Sequence, residues 1–245
     1  MSKINVNTWE PESGTAATLM ASGDTVTVPS GATLAIASGA TIANSGTATG
    51  FAAGFDDLVS FTSTQAYTIP ADITKQIFYV TGSGGGAGGS SGSYYGSSGG
   101  AGGTVIKKLA LAAGSIIQIT IGAAGGGGAT TADGVDGGDV TVASTSGTSF
   151  TTLTGPGGKK GEFNSGLVDS TVPTGGDINI AGGGGSTYSM GASSYWGGGG
   201  VAAYTTAGLA ALAPGSGGGG SNTAATASFV GGAGAVGIVV IHLYR

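Results

Sequence analysis

The sequence contains no cysteine and only one histidine, His242, among its 245 residues. Without cysteine, a disulfide scaffold and a zinc site built on thiolates are both excluded. A catalytic centre of the Ser-His-Asp type would have to use His242, which stands close to the end of the sequence. We therefore expect that the chain is not an enzyme and that it carries no cofactor.

Charge is also scarce, because charged residues make up 8% of the chain against the usual quarter or so. Seven Lys and Arg residues stand against 12 Asp and Glu residues, which gives a net charge of −5. Proteins that bind nucleic acid or anionic lipid need clustered basic residues. No apolar run reaches the roughly 18 residues of a membrane span. We expect neither a nucleic-acid partner nor membrane insertion.

Glycine is abundant, with 55 residues where an average chain of this length would hold about 7%. If the glycine tracts were flexible linkers, each would cost backbone and loop-closure entropy within one domain. The alternative is that they form extended helices of three residues per turn, which lie side by side and bond through their backbones. The tracts are 82–103, 122–138, 155–161, 182–185, 197–200, 215–220 and 231–237.

The segments between the tracts are rich in β-branched and aromatic residues and are bounded by Gly, Pro or Ser, which is typical of strands. The fold class that we predict is all-β: a short N-terminal β-repeat region and a glycine-rich β domain, with packed polyglycine-II helices as one alternative for the tracts. The best helix candidate is Ala207–Ala213, and residues 51–60 are interpreted as a connector. The predicted strands lie in 61–70, 75–82, 103–111, 115–122, 177–182 and 236–245, with two more that start at Val140 and Phe150.

Residues 1–60 differ from the rest, because they contain a quasi-repeat in place of glycine tracts. The copies are SGATLAIA at 30–37 and SGATIANS at 38–45. Each copy is too thin to bury an apolar face alone. Either another copy of the chain completes this core, or the region packs on the main domain. We interpret 1–60 as an attachment and oligomerisation region and 61–245 as the glycine-rich β domain.

Three aspartates, Asp133, Asp136 and Asp139, recur every three residues in ADGVDGGDV. Hard cations such as Ca²⁺ prefer clustered carboxylates and carbonyls. The spacing therefore makes these residues a candidate site for a structural divalent cation. The alternative is that each aspartate serves a turn beside glycine.

One phosphate-binding pattern occurs, because Gly84, Gly86 and Gly89 satisfy G-x-G-x-x-G after a predicted strand. In dinucleotide-binding proteins a helix opens at that turn. Here a run of Ser and Gly follows, which cannot form that helix. The pattern therefore predicts no cofactor-binding residues.

Aromatic residues within and beside the tracts are the candidate contact residues. Tyr and Trp combine a large contact area with a polar group, which suits the recognition of saccharides or protein surfaces. The alternative is that these side chains cover the glycine layers as a small satellite core. The candidates are Tyr94, Tyr95, Tyr188, Tyr195, Trp196 and Tyr204.

Three segments carry a resemblance to a known family. They are FTSTQAYTIPADITKQIFYVTGSGGGAGG at 61–89, GGTVIKKLALAAGSIIQITIGAAGGGG at 102–128 and GAVGIVVIHLYR at 234–245. Together they resemble the glycine-rich domain of phage tail-fibre and appendage proteins, with a departure at Asp72, where glycine is common. The opening MSKINVNTWEPESG is similar to the start of marine tailed-phage structural proteins. In composition the tracts are similar to the tip adhesins of T-even-like tail fibres, whose core is a sandwich of polyglycine helices.

The resemblance implies a virion protein of the tail appendage, either a tail fibre or a receptor-binding tip. It implies that residues 1–60 bind other tail proteins, and that loops of the second region bind a saccharide or an outer-membrane protein of the host. Because fibres are commonly trimeric, we expect a homotrimer. The alternatives are a purely structural virion component, for example a capsid decoration or tail-joining protein, and a polysaccharide depolymerase. The family supplies no catalytic residues.

Overall fold

The computed structural model describes residues 55–187, 189–222 and 227–245. The predictions for residues 1–54, including the repeat, and for Tyr188 lie outside the described residues. The described parts contain eleven strands and no helix, which confirms the all-β prediction. They also contain no helix long and apolar enough to cross a membrane.

The larger sheet is antiparallel and has five strands. In spatial order they are β1 (Phe55–Phe61), β11 (Ile238–Tyr244), β3 (Lys75–Thr81), β5 (Thr104–Leu109) and β9 (Ile178–Ile180). The closing strand thus lies between two strands that come early in the chain. Alternate side chains of β3 and β11 are buried, as expected for a sheet with one face in the core.

The second sheet has four antiparallel strands, β2 (Gln65–Thr68), β6 (Ile116–Thr120), β7 (Val140–Ser146) and β8 (Leu153–Gly155). Its inner face meets the inner face of the five-stranded sheet. Burial of apolar surface between the two sheets supplies the hydrophobic driving force of this sandwich. The fully buried large side chains include Phe78, Val80, Val105, Ile117, Ile119, Val140, Val142, Val239 and Ile241.

The glycine tracts continue from the strand ends and form a layer that we call the glycine stack. Its central segment 82–89 donates hydrogen bonds with a period of three, so that every third N–H bonds the same neighbouring segment. A helix with three residues per turn and no internal hydrogen bonds has this property. The donors are Gly82, Gly85 and Gly88 to 97–103, Ser83, Gly86 and Gly89 to 132–138, and Gly84 and Ala87 to 232–235.

The antiparallel segment 96–103 repeats the pattern with other neighbours. The hydrogen bonds therefore agree with the packed polyglycine-II alternative and not with flexible linkers. The donors are Gly96, Gly99 and Gly102 to 215–221, Ser97, Gly100 and Gly103 to 156–162, and Ser98 and Ala101 to 183–186. A short strand pair, β4 (Ser90–Ser91) with β10 (Ser228–Phe229), lies beyond this layer.

Close backbone approach explains why glycine is needed in the stack. A Cβ atom on Gly85 would lie within 3.0 Å of the Lys159 carbonyl oxygen, and one on Gly99 within 3.0 Å of the Gly85 oxygen. Both obstacles are backbone atoms, which cannot rotate away. Ala87 and Ala101 are fully buried in the same segments, so a methyl group fits at selected positions only.

Two local predictions were wrong. The segment Phe55–Phe61, interpreted largely as a connector, is strand β1, and it pairs along its length with β11. The helix candidate Ala207–Ala213 is an extended part of the glycine stack. The amides of Gly208, Leu209 and Ala211 donate to Val230, Val201 and Ala233, respectively. Bonds to two other segments, one around Val201 and one at 230–233, replace the bonds that a helix would make within itself.

Candidate functional site

The glycine stack has two ends, and the turns at each end carry aromatic residues. One end adjoins the sheets, because the turn 194–197 contacts Thr81, the last residue of β3. The other end lies at the far end of segment 82–89, away from the sheets. There the chain reverses direction between Ser91 and Tyr94. We call the turns 90–95 and 202–206 the distal turns. The predicted contact residues therefore belong to two separate groups.

The distal group contains Tyr94, Tyr95 and Tyr204. The side chains of Tyr94 and Tyr204 are 52% and 67% exposed. The ring of Tyr94 packs against Phe163, with 5.7 Å between the ring centroids, while Tyr95 is half-buried. Tyr204 is thus the most exposed of the described candidates.

An open pocket of about 540 Å³ lies between the distal turns. Backbone hydrogen bonds hold its walls together: the Ala203 N–H donates to the Gly220 oxygen, and the Asn222 N–H donates to the Ala203 oxygen. None of the described residues that line it is charged. They are Ser93, Ala202, Ala203, Tyr204, Gly220, Ser221 and Asn222.

The second group, Tyr195 and Trp196, packs on the five-stranded sheet. Both rings contact Tyr79 of β3, with centroid distances of 6.0 and 6.1 Å. The Trp196 indole N–H donates to the Thr81 hydroxyl at 2.8 Å. For Trp196 the geometry matches the alternative of a satellite core, whereas Tyr195 remains 47% exposed.

The three aspartates do not form a metal site. Among the described residues, no group of three or more His, Asp or Glu side chains could hold a metal ion. Asp133 pairs with Lys160 at 2.7 Å, Asp136 pairs with Lys159 at 3.2 Å, and Asp139 accepts the Gly157 N–H at 2.8 Å. The predicted cation site is therefore corrected: these carboxylates fasten one glycine segment to its neighbour.

The Asp133 carboxylate illustrates this fastening role. It accepts hydrogen bonds from the Lys160 ammonium and from the Phe163 N–H. These bonds, the lysine bond first, hold the pKa of the Asp133 carboxyl below its ordinary value. Since a lowered carboxyl pKa means that the folded state favours the anion, the pair is stabilising at neutral pH.

Sequence reasoning missed an aromatic cluster on the outer face of the five-stranded sheet, the face turned away from the core. Tyr79 and His242 lie on adjacent strands, with ring centroids 4.9 Å apart. Phe55 contacts His242 at 5.7 Å and Tyr244 at 5.9 Å. Alternation in FYV and in IHLY was the available signal, because every second residue there is a core residue.

The fold defines a class: an all-β domain in which a sandwich of sheets is continued by backbone-bonded glycine segments. Residues 59–244 match the family described as a glycine-rich domain, and the chain belongs to that family. No curated protein matches the sequence.

Proposed function

We propose that this chain is a virion protein of a phage tail appendage and that its distal turns contact the surface of the host cell. The motifs that resemble phage appendage proteins support the virion role. The observation that carries the contact role is the open distal pocket with the exposed Tyr204 beside it. Other virion tail proteins bind residues 1–60, and three copies of the chain assemble in the appendage.

The chemistry of the distal pocket suits the hydroxyl groups of a saccharide or the polar loop of an outer-membrane protein. Ser93 contributes a hydroxyl group, and Asn222 contributes an amide. A tyrosine ring offers a flat apolar face for a sugar ring together with a hydroxyl group. Binding sites commonly combine such apolar surface with a few placed polar groups.

The glycine stack supports this role because it fixes the turns in position. Each interior segment is bonded to neighbours on three sides, so that the turns rest on an ordered layer. Binding then costs less ordering entropy than it would with flexible loops.

The test measures binding of the fluorescently labelled full chain to a panel of intact bacteria and to an array of bacterial surface saccharides. We expect that Tyr204→Ala weakens binding by roughly tenfold or more, the loss typical of a central aromatic contact. Leu212→Ala is the matched control, since Leu212 is 95% exposed and lies beside the turn at the sheet end. Single substitutions are used because deletion of residues 189–202 would remove backbone hydrogen bonds of the stack, such as those donated by Gly191 and Gly200.

The alternative is a purely structural virion component. The exposed apolar residues of the outer sheet face, among them Phe55 and Leu58, favour it, because such patches often mark protein interfaces. Under this alternative the full chain binds no cell and no saccharide, and Tyr204→Ala changes nothing. That result would overturn the proposed contact role.

A further inference from the structure

The outer face of the five-stranded sheet combines aromatic rings with cations, a combination that the distal pocket lacks. Tyr79 stands at its centre, within 4.9 Å of the His242 ring and 6.0 Å of the Tyr195 ring. Phe55 and Tyr244 extend the row across β1 and β11. We call these five residues the aromatic face.

Three tyrosines, Tyr79, Tyr195 and Tyr244, contribute phenol groups to the aromatic face. Burial raises the pKa of Tyr79, and the proximity of Tyr195 and Tyr244 raises it further. The three side chains therefore lie near enough to interact. No hydrogen bond within the described parts of the chain uses their hydroxyl groups, so these groups can bond a ligand.

Two lysines lie on the same face. In the antiparallel register Lys75 stands opposite Tyr244, and Lys108 stands opposite Ile77. Residues that are paired across strands project to the same side, so both lysines share the outer face with the rings. Both are exposed.

Neither lysine forms an ion pair among the described residues, although the Asp177 carboxylate, which pairs with Lys107, also accepts the Lys108 backbone N–H. The ion pairs found there are Lys107–Asp177, Lys159–Asp136, Lys160–Asp133, Arg245–Asp56 and Arg245–Asp72. Although the chain as a whole is acidic, with a net charge of −5, this face thus presents two ammonium groups that take no part in these ion pairs. Charge complementarity favours an anionic occupant.

The charges on edge strand β1 disfavour binding of another protein by addition of a strand to the sheet. The edge strand β1 carries Asp56 and Asp57, and the Asp57 carboxylate accepts the Leu58 N–H at 2.7 Å. Charged residues on an edge strand discourage pairing with a further strand. The ligand is therefore expected on the face of the sheet and not at its edge.

We propose that the aromatic face with Lys75 and Lys108 binds an acidic saccharide. The sugar rings lie against the tyrosine rings, the phenol hydroxyls bond the sugar hydroxyls, and the two ammonium groups bond the carboxylates or phosphates. This inference rests on the proposed contact with the host surface and adds a second, charge-selective site to it.

The test is a titration of the full chain with oligogalacturonate, monitored by tryptophan fluorescence and by calorimetry. Methyl-esterified oligogalacturonate is the matched neutral ligand, and a phosphorylated core oligosaccharide distinguishes phosphate from carboxylate as the anion. We expect the anionic ligands to bind at least about tenfold more tightly than the ester, because charge-assisted hydrogen bonds are lost with the ester. Tighter binding of either anion supports the proposal.

Variants identify the site. Lys75→Gln combined with Lys108→Gln is expected to weaken binding of the anion by roughly tenfold or more and to leave binding of the ester unchanged. Lys159→Gln is the control, because Lys159 already pairs with Asp136. Equal affinity for the anions and the ester, or no effect of the double substitution, would overturn the proposal.

Two further measurements separate the alternatives. If light scattering shows self-association that Tyr244→Asp abolishes, and no anion binds, then a second copy of the chain occupies the face and the proposal fails. Tyr204→Ala should leave the titration unchanged. Loss of cell binding in Tyr204→Ala with an intact titration therefore tests the distal pocket separately from the aromatic face.

Discussion

The β-sandwich and the glycine stack are ordered by different forces within one chain. The sandwich excludes water with large side chains such as Phe78 and Ile241, and its stability comes chiefly from apolar burial. The stack has almost no side chains to bury, and it relies on N–H···O=C bonds between segments. A glycine-rich sequence can therefore be a packed interior, provided that each segment has neighbours on several sides.

The glycine stack also depends on the sandwich. Glycine loses more conformational freedom on folding than any other residue, while a backbone hydrogen bond contributes only about 0.5–1.5 kcal/mol net. Segments 82–89 and 96–103 run directly on from β3 and into β5, so the sandwich sets their spacing. We expect the stack to order only when the sandwich has folded.

The largest effect is expected from the sandwich core. Phe78 is fully buried, and Phe78→Ala should cost about 3–5 kcal/mol of unfolding free energy, because it removes apolar contacts and leaves a cavity. Leu212→Ala, at an exposed position, should stay within about 0.5 kcal/mol of the parent chain. Urea unfolding measures both. A cost below about 1 kcal/mol for Phe78→Ala would show that the sandwich is not the stabilising region.

In the stack, the addition of one methyl group should already be destabilising. Gly125→Ala places a Cβ within 3.0 Å of the Val135 oxygen and the Gly86 nitrogen, whereas a Cβ on Gly126 meets nothing within 4 Å. We expect a cost of about 1–3 kcal/mol or more for Gly125→Ala and little change for Gly126→Ala. Thermal unfolding compares the two, and equal effects would contradict close packing of the segments.

Serine hydroxyls within the stack should matter only where they bridge segments. Ser83 donates to the Gly122 oxygen at 2.7 Å and accepts the Gly237 N–H at 2.8 Å. Ser83→Ala leaves both backbone groups without this partner and should cost about 1–3 kcal/mol. The Ser90 hydroxyl is buried without a partner among the described residues, so Ser90→Ala is the control. If both substitutions were neutral in chemical unfolding, the bridging role of Ser83 would be refuted.

The smallest effect is expected at the surface ion pairs that fasten the segments. The pKa of Asp133 is lowered in the folded state, so its contribution is present above the unfolded carboxyl pKa of about 4 and is lost as pH falls through the folded value. Asp133→Asn should lower the melting temperature slightly at neutral pH and not at about pH 2. An equal difference at both pH values would contradict an electrostatic role.

Strand patterns made the sandwich predictable, because KQIFYVTG and VGIVVIHLYR alternate core residues with outward ones. Strand β1 escaped prediction because its outward residues Phe55 and Leu58 are apolar as well, which hides the alternation. For the glycine tracts, packed polyglycine-II helices were only one of two alternatives, the other being flexible linkers. Glycine itself carries no side-chain pattern that distinguishes an ordered tract from a linker.

The candidate site was less predictable than the fold. Tyr195 and Tyr204 are nine residues apart, yet they lie at opposite ends of the stack because the chain makes one glycine segment between them. Asp133 pairs with Lys160, 27 residues later, and no local spacing reveals such a partner. Only the order in which segments stack determines these contacts.

Amide hydrogen exchange tests the central claim, that the glycine tracts form a packed and bonded layer, most directly. The amides of Gly85, Ala87, Gly99 and Ala101 should exchange about as slowly as those of β3 and β11, because all four are bonded inside the stack. The exposed Gly126 and Gly127, whose amides donate no backbone bond among the described residues, should exchange fast. Fast exchange throughout 82–89 and 96–103, at the rates of an unstructured chain, would contradict the packed stack.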